Sequence, residues 1–150
     1  MEVLMGGTVI TDDVGFLLTR ASALLVRATN AALATHGLRV RSYSALLLAC
    51  DSGEGMSQRD LAEALGLDPS QVVLLVDELA DAGLVERRPS ETDRRAKLVV
   101  ATRAGRVVRR RAEGAVAAAH ATELAGLSTP EQDQLRGLLG RLLGQGAQGD

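Results

Sequence analysis

Residues 84–105, LVERRPSETDRRAKLVVATRAG, place two short apolar runs on either side of a polar loop whose tip is Asp93-Arg94-Arg95. This is the pattern of a β-hairpin with arginine at its end. Arg87, Arg88, Arg94, Arg95 and Lys97 all belong to that one hairpin. A narrow projection of this kind is shaped to push a guanidinium group into a groove.

The segment upstream gives the hairpin a context. Residues 57–66 and 68–82 read as two short helices joined by a turn. Ser57 is placed to cap the first, Leu61, Ala62 and Leu65 fall at helical spacing, and Gly66 stops it. The second opens with Asp68 as N-cap and Pro69 at the first helical position. Its run Val72-Val73-Leu74-Leu75-Val76 has the look of a buried strand, but the cap before it and Asp77-Glu78-Leu79 after it favour helix. On a 3.6-residue period Val72, Leu75, Val76 and Leu79 share the core face, which leaves Ser70, Gln71, Val73, Leu74 and Asp77 outside. In a recognition helix the two outer aliphatics touch thymine methyl groups, while Ser70 and Gln71 offer hydrogen bonds to base edges or phosphates. The alternative is that Val73 and Leu74 pack beneath the wing or a neighbouring helix. Helix, turn, helix and basic hairpin is the order of a winged helix-turn-helix, and the expected class is mainly α with a small β component (α+β).

The stretch from Ser57 to Gly105 resembles the DNA-binding core of the MarR family of bacterial transcription regulators. The marks are Leu61-Ala62, Val76-Asp77-x-Leu79, Gly83-Leu84-Val85-x-Arg87, Asp93-Arg94-Arg95 and Thr102-x-x-Gly105. The likeness extends outward, because His36-Gly37-Leu38 followed by Tyr43-x-x-Leu46-Leu47 resembles the junction of that family's first two helices. It implies one domain over residues 1–150, with a winged core at 40–101, dimerisation helices at 12–36 and 103–143, and a frayed tail at 144–150. It also implies that Asp93 orients Arg95, the second arginine of the triplet, as a minor-groove probe. An arginine so placed reads the narrow, electronegative groove of A·T-rich sequence more than base identity. Arg87, Arg88, Arg94 and Lys97 then fall to phosphates, with Ser57 and Arg59 of the preceding helix beside them.

Composition agrees with this. The chain has 150 residues, 46% hydrophobic but with one Phe, one Tyr and no Trp, so its core is built from Leu, Val and Ala. The formal charge of −2 is unusual for a nucleic-acid binder, but its distribution is not. From Arg87 to Arg111 ten Lys or Arg stand against Glu91 and Asp93, a local balance of +8 that leaves −10 for the remainder. Such asymmetry suits a protein that meets phosphate with one surface only. Arg106, Arg109, Arg110 and Arg111 taken alone also fit a solvated helix face. No apolar run reaches membrane-span length, and Met1-Glu2 lacks the positive region of a signal peptide, so a cytoplasmic location is expected.

Both ends carry amphipathic helices. Val14, Leu17, Leu18, Ala21, Leu24, Leu25 and Ala28 form one stripe ahead of Gly37. Near the C-terminus Ser128-x-x-Glu131 is a capping box, with Leu135, Leu138, Leu139, Leu142 and Leu143 behind it. These faces are too apolar to leave in water, and pairing with a second copy gives a two-fold dimer.

Catalytic signatures are scarce. His36, His120 and Cys50 sit at no metal or triad spacing. His120 and Glu123 lie one turn apart, which reads as a solvated helix face rather than a metal pair, and Cys50 reads as a reduced core residue. No enzyme activity and no cofactor are expected. The resemblance implies a small phenolic or carboxylate effector between the dimerisation helices and the winged core, with Phe16, Arg20, His36 and Tyr43 as candidate lining residues. The resulting expectation is a homodimeric, sequence-specific double-stranded DNA regulator, acting as a repressor; the alternative is a winged-helix module for protein partners.

Overall fold

The computed structural model describes residues 4–5 and 8–145. Most of the tail expected to fray lies outside the described residues. Nearest the N-terminus, β1 (Leu4–Met5) pairs with β2 (Thr8–Val9), and a 3-10 turn, Ile10–Asp12, leads into α1 (Val14–Leu33). The chain continues through α2 (Val40–Asp51), β3 (Met56–Ser57), α3 (Gln58–Leu65), α4 (Pro69–Asp81), β4 (Val85–Pro89) and β5 (Lys97–Ala101). It ends in α5 (Arg103–Glu123) and α6 (Thr129–Leu142). The helical class and the winged order expected from the sequence are both present.

Local chemistry sets the boundaries. Asp13, Ser57, Thr102 and Ser128 each accept the backbone N–H three residues on, at 2.8, 3.1, 3.0 and 3.3 Å, so four helices begin on a side-chain oxygen. At the other end Gly37 and Gly66 adopt the left-handed conformation that ends a helix, with φ of 69° and 64°.

Packing follows the expected faces. Val72, Val76 and Leu79 of α4 are buried with Leu61 of α3, Leu46 of α2, Val99 of β5 and Leu33 at the end of α1. From α5 the core receives Ala112 and Val116, whereas α6 buries nothing. A third strand joins the hairpin, because Met56 and Ser57 pair with Val99 and Leu98, giving the antiparallel order β3-β5-β4. Gly55, at φ 107°, permits this approach: a Cβ there would stand 2.8 Å from Val100 Cγ2 and 2.9 Å from the Val99 oxygen.

Two helix contacts differ from their sequence reading. His120 is half-buried, and its Nε2 lies 2.9 Å from Thr29 Oγ1 across α1 and α5. Since the threonine hydroxyl donates its single proton to the Leu25 oxygen at 2.7 Å, the ring nitrogen is the donor. His120 is therefore a strut between two helices and not part of a solvated face. Arg106 and Arg109, read as solvated, are also engaged. Arg106 Nη1 donates to the Cys50 oxygen at 3.1 Å, and Arg109 bridges Asp51 and Glu113 at 2.6 and 2.9 Å.

The start of α5 is wedged against the start of the wing. Thr102 donates its N–H to the Leu84 oxygen at 3.0 Å and its hydroxyl to the Gly83 oxygen at 2.6 Å. Gly105 lies buried above them, and a Cβ there would overlap the Leu84 oxygen and approach Leu46 Cδ1 to 3.2 Å. Because the obstacle is backbone, Gly105→Ala should destabilise the protein by about 1–3 kcal/mol, read as a lower urea midpoint; a wild-type midpoint would show that the junction yields. Cys50 is free and buried, and burial pushes its thiol pKa up despite the opposing charges of Arg106 and Arg109. Native protein at neutral pH should therefore label with a thiol reagent far more slowly than unfolded protein; equal rates would contradict the packing.

Candidate nucleic-acid interface

The outer face of α4 is open along its length. Ser70, Gln71, Val73, Leu74 and Asp77 are all exposed, with Val73 at 38% and Leu74 at 69%, so neither aliphatic is buried beneath the wing. Gln71 Oε1 accepts the Asp68 N–H at 3.2 Å, which fixes the amide at the helix start and leaves its NH2 group free to donate outward. On α3, Arg59 is exposed, and Ser57 is engaged as the cap of its helix.

The wing is a regular hairpin with a self-bonded tip. Arg87 stands opposite Val99, Arg88 opposite Leu98 and Pro89 opposite Lys97. Ser90 donates its N–H to the Ala96 oxygen at 3.0 Å, and Ser90 Oγ accepts the N–H groups of Thr92 and Asp93, each at 3.3 Å. Asp93 does engage Arg95, but through the backbone: its Oδ1 accepts the Arg95 N–H at 3.0 Å. The aspartate thus shapes the turn and leaves the guanidinium uncommitted. Arg94, Arg95 and Lys97 are exposed, and none of them is in an ion pair among the described residues.

Two of the proposed phosphate contacts are partnered within the chain. Arg88 pairs with Glu86, but both side chains are largely open to water, where such a pair is worth under about 1 kcal/mol and yields readily. Arg87 is different. Its Nη2 donates to Asp77 Oδ1 at 2.6 Å, its Nε donates to Gln58 Oε1 at 3.0 Å, and only 28% of its side chain is exposed. Its guanidinium is already engaged by a carboxylate and an amide of the same chain, which sets it apart from the other candidate phosphate contacts.

The cleft beside α4 lies between a dimerisation helix and the winged core, as the resemblance implies for an effector, but its lining residues are not the ones expected. A cavity of about 570 Å³ opens between α1, α2 and α4, lined among others by Val26, Asn30, Arg39, Arg41, Leu74 and Glu78. Arg39 faces Glu78 at 3.8 Å, and Asn30 Oδ1 accepts the Val40 N–H at 2.9 Å, tying α1 to α2 at its edge. None of the four candidate ligand residues lines this cleft. Phe16 is half-buried in the first turn of α1, Arg20 is exposed one turn on, and His36 is half-buried in the 3-10 turn Ala34–His36. Tyr43 is core, 7% exposed, with its phenol pKa raised by burial and by Glu113 against the opposing Arg109. The apolar stripes expected at the two ends remain open in the single chain, at Val14, Leu17, Leu18 and Leu24 of α1 and at Leu138, Leu142 and Leu143.

The MarR family profile matches residues 36–96. The transcriptional repressor Rv2887 of Mycobacterium tuberculosis is 33% identical over 135 residues, 89% of this chain and 96% of that protein. Rv2887 has been solved in complex with DNA (31% identity, TM-score 0.70, 87% of this chain and 97% of that one) and with salicylic acid (34% identity, TM-score 0.70, 88% and 98%). A MarR-family transcriptional regulator from Rhodococcus sp. RHA1 superimposes with a TM-score of 0.86 at 46% identity, over 89% of this chain and 94% of that one. CouR from Rhodococcus jostii RHA1, solved bound to p-coumaroyl-CoA, does so with a TM-score of 0.83 at 47% identity and the same coverage. The open face of α4, the arginine-tipped wing and similarity along nearly the whole chain converge: this protein belongs to the MarR family of transcriptional regulators.

Proposed function

We propose that this regulator is a repressor that binds a pseudo-palindromic operator in the cytoplasm as a homodimer and is released by a small anionic effector. The observation that carries the reading is the wing tip, where Asp93 bonds the Arg95 amide and leaves two adjacent guanidinium groups exposed. Arg95 is then free for the minor groove while Val73, Leu74, Ser70 and Gln71 meet the major groove. Arg94, Arg88, Lys97 and Arg59 supply phosphate contacts. The DNA complex of Rv2887 supports the assignment by relationship.

Dimerisation follows from the faces that the single chain leaves open. Leu138, Leu142 and Leu143 are exposed in the single chain, and a second copy covering them and the stripe on α1 removes that surface from water. Two-fold symmetry then places the recognition helices roughly 34–36 Å apart, one turn of DNA. The α1–α2–α4 cleft is the best seat for an effector, since a ligand there touches the recognition helix directly through Leu74 and Glu78. Arg39 and Arg41 suit a carboxylate or phosphate, in line with the salicylic acid and p-coumaroyl-CoA found in the relatives. Such a ligand releases DNA only by favouring one placement of α4 over another. Phe16, Arg20 and His36 contribute where the second protomer completes the pocket.

Fluorescence anisotropy against the duplex upstream of its own gene and a scrambled duplex tests the reading. The native duplex should bind more tightly, and Arg95→Ala should weaken it and make the plot of log affinity against log salt shallower by about two, one for each protomer of the dimer. Equal affinity for both duplexes, with no effect of the substitution, would count against it. A Leu138→Glu/Leu142→Glu double variant should sediment as a monomer; a dimer that persists would place the interface elsewhere.

A further inference from the structure

We infer that Arg87 is a positioning residue that fixes the recognition helix against the wing, and that it makes no phosphate contact. The inference rests on the DNA-binding function proposed above and concerns how its surface is held in shape. Arg87 lies on β4, Gln58 is the first residue of α3, and Asp77 stands on the exposed side of α4, one turn beyond Val73 and Leu74. A single guanidinium therefore ties together the three elements that face DNA, through Nη2 to Asp77 at 2.6 Å and Nε to Gln58 at 3.0 Å.

Geometry and charge both favour the clasp over a phosphate contact. The two bonds leave the guanidinium in different directions, which a planar fork of donors allows and a lysine ammonium does not reproduce. Its side chain is 28% exposed, against 64% for the neighbouring Arg88, so little of it is presented outward. A phosphate would compete with Asp77 for the same charge, and losing that pair would leave a bare carboxylate on the exposed face of α4. Paired, the two charges cancel, so Asp77 does not present an uncompensated negative charge on the exposed face of α4.

The two roles predict opposite signs, which makes the test decisive. The wild-type protein selects its tightest duplex from a random pool, and Arg87→Ala, Arg87→Lys, Asp77→Asn and Arg95→Ala are titrated against it over a series of salt concentrations. Thermal melts confirm that each variant is folded, and the near-isosteric Asp77→Asn covers the case in which Arg87→Ala is not. As a positioning clasp, Arg87→Ala, Arg87→Lys and Asp77→Asn each weaken binding roughly ten- to a hundredfold. Their salt dependence stays that of wild type, while Arg95→Ala loses about two units of slope, one per protomer. The inference is overturned if Arg87→Ala loses about two units of slope, if Arg87→Lys retains affinity, or if Asp77→Asn binds more tightly because an acid has left the DNA face. If the wild-type protein enriches no duplex, the DNA-binding function itself falls and the inference falls with it; the two failures are thus distinct.

Discussion

Everything beyond α4 is hung from one backbone contact, the docking of the first turn of α5 onto Leu84. The Leu84 oxygen takes the Thr102 N–H, and Gly105 passes so close above it that no side chain fits between. The strand leaving α4 and the strand entering α5 are thereby locked at one corner, so the wing projects at a fixed angle from two helices rather than from one. α5 then runs back along α1, where the His120–Thr29 bond and the buried Ala112 and Val116 hold it. The surface that meets DNA and the helices that carry the open leucine stripes thus form a continuous rigid path.

Electrostatics divides the same molecule by a different rule. The stretch Arg87–Arg111 holds ten of the chain's cations, yet they do three different jobs. Arg106 and Arg109 brace α5 against the end of α2, and Arg87 braces the wing against α3 and α4. The cations of the tip and outer strands, Arg88, Arg94, Arg95 and Lys97, remain available to an anionic partner, and Arg103, Arg110 and Arg111 stay exposed along α5. A positive stretch in a sequence therefore overstates the charge that a ligand meets, because guanidinium groups are also the side chains best suited to bridging elements.

What could be read in advance was whatever local chemistry decides. The helices at 57–66 and 68–82 emerged as Gln58–Leu65 and Pro69–Asp81 because caps, a proline and a glycine mark their ends within a few residues. The core face of α4 followed from periodicity, and Val73 and Leu74 came out exposed for the same reason. What escaped was decided by distant partners. β3 is two residues long and exists only through Leu98 and Val99, far along the chain. His120 meets Thr29 from 91 residues away, and Arg87 meets Gln58 from 29. The cleft has no local signature at all, since three helices from separate parts of the sequence enclose it. The family resemblance makes Tyr43 a candidate ligand contact, whereas the scarcity of aromatics in this chain favours the core, where it lies.

The claim that joins these observations is that two copies of one rigid surface read a symmetric site. Selection of duplexes from a random pool by the purified protein, followed by sequencing, tests it most directly. The account predicts an inverted repeat whose half-sites are centred roughly one helical turn apart, about 10 base pairs, flanked by A·T-rich sequence where the Arg95 side chains enter. Enrichment of an asymmetric site, or of no sequence at any salt concentration, would contradict it.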